Sequence, residues 1–279
     1  MKHKILLLIT FCVIFIQSNK PAFCQIDAAS SFAFNPKIYL YPGLFYPVIE
    51  TTVRFDPHGN SDIPFNGTKL NLENDLGLSS SGRVFRMRGV LGSGTSFDVS
   101  YLSIERQASK YIEREIIFGD TVYHAGALTD AYFNSKIYSG SWKFAIVNTP
   151  VVAAGLSLGA RWLELGAGLS VFSEGNRYKQ EVTAELPVLL PGFHGRVSVT
   201  SRLRAAISFE YLKLHIQDFE GKAIDHRFSL EYYPLKNLGI GADYSMMNYK
   251  LNKAPFHNDF SGEINYSLKG FGVFATLRF

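Results

Sequence analysis

The sequence predicts an all-β fold, namely a transmembrane antiparallel β-barrel of about 10 strands, with eight or 12 strands also open. Three observations lead to this prediction. The chain begins like an exported protein, and apolar and polar residues alternate with a period of two. Short turns also alternate along the chain with longer polar segments.

The N-terminus has the pattern of a secretory signal. Lys2 and Lys4 precede an apolar run over residues 5–16, and Ala22 and Cys24 place small residues before a cleavage point. The run is shorter than the roughly 20 residues that a membrane-spanning helix needs. A lipoprotein signal is disfavoured because Phe23 stands where a small residue is required. We therefore expect a signal peptide over residues 1–24 and one barrel domain over residues 25–279.

Cleavage of the signal would change the cysteine content and the net charge of the mature chain. Both cysteines of the chain, Cys12 and Cys24, belong to the predicted signal, so the mature chain could form no disulfide and no thiolate metal site. Lys2, Lys4 and Lys20 would also leave, and the remaining 25 basic residues nearly balance the 24 acidic ones. The sequence pI of 8.9 is therefore no argument for nucleic-acid binding. Aromatic residues make up 14% of the chain, which suits a sheet that faces lipid.

The alternation is clearest near the C-terminus. Apolar residues there occupy every second position up to the last residue: Phe271, Val273, Ala275, Leu277 and Phe279. Similar runs occur over residues 203–211, 227–232 and 238–246. The phase of the alternation breaks between Trp162 and Leu163 and again near Lys269. Each break predicts either a β-bulge or a missed turn.

The connections set the strand count. Tight turns are predicted at residues 92–94, 148–150, 200–202 and 234–237, and they imply eight strands. Longer polar segments lie at about 56–81, 106–127, 174–187, 217–223 and 252–260. Strands at about 43–55 and at the C-terminus bring the count to 10. Short turns on one side and long loops on the other are typical of membrane barrels.

These features together resemble bacterial outer-membrane barrel proteins, whose last strand typically ends on Phe. The closing residues GVFATLRF match that pattern, with Phe279 as the terminal residue. A second segment, GTKLNLENDLGL over residues 67–78, resembles a "GT-x-hydrophobic-x-LE-x-DLGL" segment of a group of outer-membrane barrels, and Phe118-Gly119-Asp120 extends the likeness. The resemblance implies a location in the cell outer membrane, contact with its lipid and lipopolysaccharide, and an assembly signal at Phe279 for the barrel-assembly machinery. It implies no activity.

The inward face of the barrel is the first candidate site. If the apolar face meets lipid, a set of charged residues points into the lumen: Arg86, Arg88, Asp98, Lys143, Arg161, Arg196, Arg204, Glu210, Arg227, Glu231, Asp243 and Arg278. Such charges could pair and plug the lumen, or they could line a narrow channel that prefers anions. A barrel near 10 strands is narrow, which favours the plug.

The 67–78 segment is the second candidate. Its distinctive residues are Glu73, Asp75 and Gly77, and they are set among leucines. The segment could fold into the barrel mouth as a constriction or binding element, or it could lie against the barrel rim. The sequence favours the rim. The segment lacks the spaced oxygen ligands of a calcium loop.

Catalytic patterns are weak. Gly155–Gly159 reads G-x-S-x-G around Ser157, but no helix follows, as the nucleophile elbow requires. No histidine is spaced to pair with a serine or to bind a metal. His194 fits a lumen or rim residue, and Asp225 and His226 are neighbours that would face opposite sides of a strand. We therefore expect no metal, no cofactor and no nucleic-acid partner.

Three functional hypotheses follow. The first is a non-enzymatic outer-membrane barrel, either structural or narrow and pore-like, whose outer loops contact ligands or partners. The second is an outer-membrane enzyme that modifies lipid or lipopolysaccharide. The third is a soluble periplasmic barrel that binds an apolar ligand. The oligomeric state is not determined by the sequence.

Overall fold

A computed structural model describes residues 38–57, 66–79, 82–92, 94–118, 120–173, 176–216, 219–255 and 261–279. The predicted signal peptide lies outside these residues. The described chain forms one antiparallel sheet in the order β13-β12-β11-β10-β9-β8-β7-β4-β3-β1-β2, which closes through a β13–β1 pairing. Leaving out the two-residue β2, the closed wall has 10 strands, and the predicted fold is confirmed.

The barrel strands differ widely in length. Their bounds are β1 Ile38–Phe55, β3 Val84–Gly92, β4 Ser96–Tyr111, β7 Leu128–Asn148, β8 Val152–Ser173, β9 Asn176–Ser198, β10 Leu203–Ile216, β11 Phe219–Tyr232, β12 Leu238–Pro255 and β13 Ser261–Arg278. Three short strands and one helical turn lie in the connections: β2 Leu70–Asn71, α1 Leu72–Asp75, β5 Ile116–Phe118 and β6 Thr121–Tyr123. No helix in the described part of the chain is long and apolar enough to cross a membrane.

The first and last strands close the barrel. Tyr39 pairs with Arg278, and the ladder continues without a break in direction to Phe55 and Gly262. At the chain end the Ile38 amide donates to the Phe279 carbonyl at 3.2 Å, and the Phe279 amide donates back to Ile38 at 2.9 Å. The final strand is therefore a structural part of the wall. Closure leaves no free sheet edge between the first and last strands, where hydrocarbon could not solvate one.

Side chains divide the barrel into two levels. In the lower level, next to the short turns, the outer face is apolar and the inner face is polar. Phe271 and Val273 are 67% and 49% exposed, for example, while Asp243 and Glu231 are buried inside. In the upper level the two faces exchange character. Outward Lys269 pairs with Glu50 at 3.0 Å, while the neighbouring Leu268 is buried in the interior.

This exchange explains the two breaks in the sequence alternation. The β8–β9 register runs through Trp162 and Leu163 without a shift, and the β12–β13 register runs through Lys269 in the same way. The predicted bulges or turns at these places are wrong, because the side chains keep their faces while the surroundings change from lipid to water. The register shifts lie elsewhere, between Ala145 and Val147 and between Asn252 and Ala254.

The four short turns are where the sequence placed them, but several long loops are not loops. The structure places residues 176–198 in β9, so the predicted loop at 174–187 is mostly strand. β11 begins at Phe219, which corrects the loop at 217–223. β4 continues to Tyr111 inside the predicted 106–127 loop, and the first strand begins at Ile38 rather than near residue 43. Long hairpins therefore extend the wall beyond the lipid level.

One strand is too short for this tall wall. β3 pairs with β1 only up to Phe45 and with β4 only up to Tyr101, so both neighbours continue without it. β2 pairs with β1 at Thr52 and Val53 in the upper level. The segment of β2 and α1 thus takes the place in the wall that β3 leaves empty.

The lower outer face gives a direct test of membrane contact. Substituting Val273→Lys would place a charge in the apolar belt, and we expect it to lower the free energy of unfolding by about 2–4 kcal/mol. The matched change Ser201→Lys, in an exposed short turn, should leave stability within about 0.5 kcal/mol. Urea unfolding in lipid vesicles measures both. Equal stability of the two variants would contradict a lipid-facing position for Val273.

Candidate functional site

A layer of charged side chains fills the lower lumen. We call it the charged layer, and its members are Arg86, Arg88, Asp98, Lys143, Arg161, Arg196, Arg204, Glu210, Asp225, Arg227, Glu231, Asp243 and Arg278. These side chains are buried or half-buried on the inner face of the strands. The charged layer contains the lumen candidates from the sequence and, in addition, Asp225.

Arg161 holds the uppermost part of the charged layer. Glu210 and Asp225 face each other on β10 and β11, and Arg161 of β8 bridges them. Its Nη2 lies 2.5 Å from a Glu210 oxygen and 2.8 Å from Asp225 Oδ2. A Cβ atom at position 159, where the chain has Gly159, would enter the space that the Glu210 carboxylate and the Arg161 guanidinium occupy. The glycine therefore lets the ion cluster lie flat against the wall.

Two further ion clusters lie below it. Arg86 pairs with Asp243 and donates to the Ser245 hydroxyl at 3.1 Å, while Arg227 approaches the same Asp243 at 3.8 Å. Lys143 Nζ lies 2.9 Å from Asp98 Oδ2. Because each buried carboxylate of these clusters has a basic partner, the charges neutralise one another locally. This arrangement rigidly occupies the lumen.

Aromatic rings contact the arginines at the lower end. The Arg88 guanidinium lies 3.9 Å from the centre of the Tyr41 ring, and the Arg278 guanidinium lies 3.0 Å from that of Tyr233. Tyr233 also donates to Glu231. A small cavity of about 100 Å³ remains here, bordered by Gly92, Gly94 and other residues near the short turns. Among its charged lining residues, Arg88, Lys143, Arg196, Arg204 and Arg227 outnumber Asp98 and Glu231.

An apolar core fills the upper lumen above Arg161. We call it the upper core, and its wall members include Ile49, Val53, Ile104, Phe133, Leu163, Leu165, Met247, Tyr249, Ile264, Tyr266 and Leu268. The four leucines of the 67–78 segment belong to the same cluster, and each is at most 2% exposed: Leu70, Leu72, Leu76 and Leu78. The segment packs its leucines against lumen-facing residues and completes the wall. This differs from the position on the rim that the sequence favoured.

Polar contacts attach the 67–78 segment to β1 and β4. Arg106 of β4 is buried, and its guanidinium donates to Glu73 at 2.5 Å and to the Thr51 hydroxyl at 2.8 Å. A second Glu73 oxygen accepts the Thr51 amide at 2.8 Å. Glu73 thus satisfies a backbone donor of β1 that β3 leaves unpaired. One carboxylate therefore connects the two strands on either side of the gap.

The other motif residues have local roles. Asp75 accepts the Asn71 amide at 2.9 Å and lies 3.1 Å from Arg114. Gly77 has a φ of 73°, a left-handed conformation that favours glycine and turns the chain out of α1. These contacts indicate that Glu73, Asp75 and Gly77 shape the segment.

The β5–β6 hairpin covers the core from the upper side. Ile116 and Phe118 are buried in the upper core, and the Ile117 amide donates to the Thr68 hydroxyl at 2.8 Å. Tyr123 donates to the Leu169 carbonyl at 3.1 Å, and burial raises the pKa of its hydroxyl to about 12. The tyrosine is therefore neutral and remains a donor at physiological pH.

The structure brings one serine and one histidine closer than the sequence suggested. Ser157 and His194 lie on the inner face of β8 and β9, where Gly155 is paired with His194 and Ser157 with Gly192. Neither Ser157 Oγ nor His194 Nδ1 has a hydrogen-bond partner among the described residues, so no hydrogen bond joins the serine hydroxyl to the histidine ring. Asp225 points inward to Arg161, while His226 lies outside beside Tyr244 at a ring separation of 6.2 Å.

Other potential chemistry is also limited in the described residues. His124 follows β6 and lies 3.2 Å from Glu115, while His215 lies near the end of β10 and 3.1 Å from Glu220. No group of three metal-ligating side chains occurs in the ranges that the structure describes. His58 and His257 lie outside those ranges. Sequence reasoning missed the connecting role of Arg106 and Thr51, because nothing in their spacing shows that β3 stops short.

The fold is shared with a solved outer-membrane protein. The outer-membrane protease OmpT from Escherichia coli superposes with a TM-score of 0.55 and 11% identity, over 87% of this chain and 96% of that chain. The toluene transporter TodX of Pseudomonas putida matches at a TM-score of 0.36 and 10% identity, over 94% of each chain. Ail of Yersinia pestis matches at 0.29 and 11% identity, over 85% of this chain and 99% of that chain.

Neither a protein-family model nor a curated protein sequence matches the chain. At 11% identity, the likeness to OmpT shows a common fold and no common activity. The chain thus has the architecture of a bacterial outer-membrane β-barrel.

The Arg161 cluster predicts a large loss of stability when its cation is removed. Arg161→Met leaves Glu210 and Asp225 buried without their partner, and we expect a loss of about 3–5 kcal/mol in urea unfolding. Adding Glu210→Leu and Asp225→Leu to the same chain should recover most of that loss, because no buried charge then remains unpaired. A single variant as stable as the original protein would show that the cluster is solvated.

Proposed function

We propose that this protein is a non-enzymatic outer-membrane barrel that closes its own lumen and acts through its outer surface. One observation carries the proposal. The charged layer and the upper core lie one above the other across the described lumen, and both are built from side chains in mutual contact.

A pore needs a continuous path of water, and this arrangement opposes one at two levels. The ion clusters around Arg161 and Arg86 fill the narrow lumen of a 10-strand barrel. Above them, ions would have to cross the buried upper core, where a charge costs several kcal/mol. Of the structural and pore-like alternatives, the geometry supports the closed, structural one.

The proposed contact surface is the tall wall of β4, β7, β8 and β9. β8 and β9 contain 22 and 23 residues, about twice what a barrel strand needs to cross the lipid. On the outer side of this wall lies a polar hollow of about 540 Å³, bordered by Gln107, Ser109, Tyr132 and Lys179. Such a rigid, polar hollow suits a ligand or partner at the cell surface.

The exposed outer face supports the remaining parts of the proposal. Phe279 ends the closing strand and is 60% exposed on the outer face, so it is accessible as an assembly signal for the barrel-assembly machinery. The outer face also suits outer-membrane lipid and lipopolysaccharide. The alternative is a lipid-modifying enzyme. Among the described residues, Ser157 and His194 are not joined by a hydrogen bond that would support it.

Conductance tests the closed lumen. The purified barrel inserted into planar bilayers should show no steady conductance steps, because neither level of the lumen offers a water path. A porin inserted under the same conditions is the positive control. Steady single-channel steps from the folded, heat-modifiable protein would refute the closed lumen.

Cysteine labelling tests which side carries the contact surface. Lys179→Cys is exposed on β9, and Lys236→Cys lies in a short turn. A membrane-impermeant maleimide should label the first variant on intact cells and the second only after the outer membrane is permeabilised. The reverse pattern would place the hollow in the periplasm and would refute a cell-surface role.

A further inference from the structure

The wall is incompletely paired between β9 and β10. Their ladder runs from Ser198 and Arg204 only to Gly192 and Glu210, although both strands continue upward. β9 remains paired with β8 throughout, and β10 remains paired with β11 to its end. The two sides of the wall therefore separate above Gly192.

The sequence of β9 supports this separation. Pro191 lies next to Gly192, where pairing with β10 stops, and Pro187 lies farther up the same strand. Proline has no amide hydrogen to donate, so within a sheet it is confined to edges and bulges. In the upper part of the barrel, β9 is built as an edge strand. Unlike the gap beside β3, no described segment covers this edge with backbone pairing.

An apolar cavity lies directly behind the separation. Its volume is about 220 Å³, and the inner side is formed by Leu163, Leu186, Leu212, Tyr249 and Leu251. A cavity of about 150 Å³ lined by such residues is large enough to hold benzene. This cavity can therefore accept a slender apolar group.

The opening lies at the level of the outer lipid leaflet. Seven residues of each strand are paired below it, counted from Arg204 to Glu210, and a tilted strand crosses the whole apolar layer in about 9–11 residues. Outward residues beside the opening are apolar up to Pro187 on β9 and Tyr211 on β10. The next outward residues, Glu185 and Lys213, are polar and exposed.

A groove on the outer surface leads to the same place. It is lined by the outward rings of Tyr101, Tyr138 and Trp162 and ends at Pro187 and Leu189, which also border the cavity. Trp162 and Pro187 are paired across β8 and β9. Pro187, Val188 and Leu189 of β9 thus border both the outer groove and the interior cavity, beside the opening.

A row of lysines lies just above the lipid level on the other side of the opening. Lys213 pairs with Lys222, and Lys222 pairs with Lys250, so three like charges are adjacent across β10, β11 and β12. All three side chains are exposed and outward, and none forms an ion pair within the described residues. Like charges directly opposite each other are unfavourable without a counter-ion. The row therefore suits an anionic group at headgroup height.

We propose that the opening between β9 and β10 binds one outer-leaflet lipid, with an acyl chain in the apolar cavity and an anionic headgroup against Lys213, Lys222 and Lys250. The inference needs the barrel to lie in the membrane but does not depend on a closed lumen. Conductance and lipid binding can therefore fail separately.

Photolabelling tests the cavity. The full mature barrel is refolded in phosphatidylcholine vesicles that contain phosphatidylglycerol with a diazirine on its acyl chain, and adducts are mapped by peptide mass spectrometry. We expect adducts on inward Leu186, Leu212 and Leu251 as well as on outward Leu189 and Phe193. Adducts confined to the outward residues would overturn the proposal.

A cavity-filling variant sharpens this result. Ala223 is 4% exposed and borders the cavity, so Ala223→Phe should abolish the inward adducts while the outward ones persist. Ala242→Phe adds the same bulk on the lipid face of β12 and should change neither. Inward adducts that persist in a folded, heat-modifiable Ala223→Phe barrel would overturn the assignment. If that variant does not fold, the adduct pattern of the unsubstituted barrel decides.

The lysine row is tested by headgroup preference. This test uses vesicles in which phosphatidylglycerol and phosphatidylcholine both carry the diazirine. Replacing Lys213, Lys222 and Lys250 together by Gln should lower the ratio of inward phosphatidylglycerol to phosphatidylcholine adducts by at least about tenfold. Lys136→Gln, another exposed outward lysine, should leave the ratio unchanged. An unchanged ratio in the triple variant would show that the three lysines do not bind the headgroup.

Discussion

The structure depends on one constraint, which is that hydrocarbon cannot solvate an unpaired backbone amide or carbonyl. The β1–β13 ladder meets this constraint by closing the wall. Two places in the wall lack full strand pairing, one beside β3 and one beside β9. Beside β3, the short β2 and the Glu73 carboxylate satisfy groups of β1. Beside β9, two prolines reduce the number of donors, and an apolar cavity lies behind the opening.

The two levels of the barrel follow from the change of solvent along the strands. At lipid level the outside must be apolar, and polar side chains fit inside only if they are paired, as around Arg161. Above the lipid the outside meets water, so the inside can become an ordinary hydrophobic core. The chain thus combines a membrane barrel below with the packing of a soluble barrel above, and both parts occupy the lumen.

The sequence indicated which charged residues face the lumen but not which ion pairs they form. Alternation within a strand was enough to place Glu210, Asp243 and their neighbours on the inner face. It could not show that Glu210 and Asp225 share one arginine, because that depends on the register of three strands. The upper core was missed for a related reason. Its residues alternate in the opposite phase, and the change of phase at Leu163 was interpreted as a bulge or turn.

By itself, the sequence determined the fold class and the positions of the four short turns, since each rests on local alternation and turn chemistry. It predicted a strand number of about 10 and left eight and 12 open. Only the tertiary structure decided where the 67–78 segment lies, where the wall opens and which lysines meet across strands. These features depend on how far neighbouring strands stay paired. Pairing length is set by contacts between residues distant in the chain, such as Arg106 with Glu73 and Thr51, and no local pattern records them.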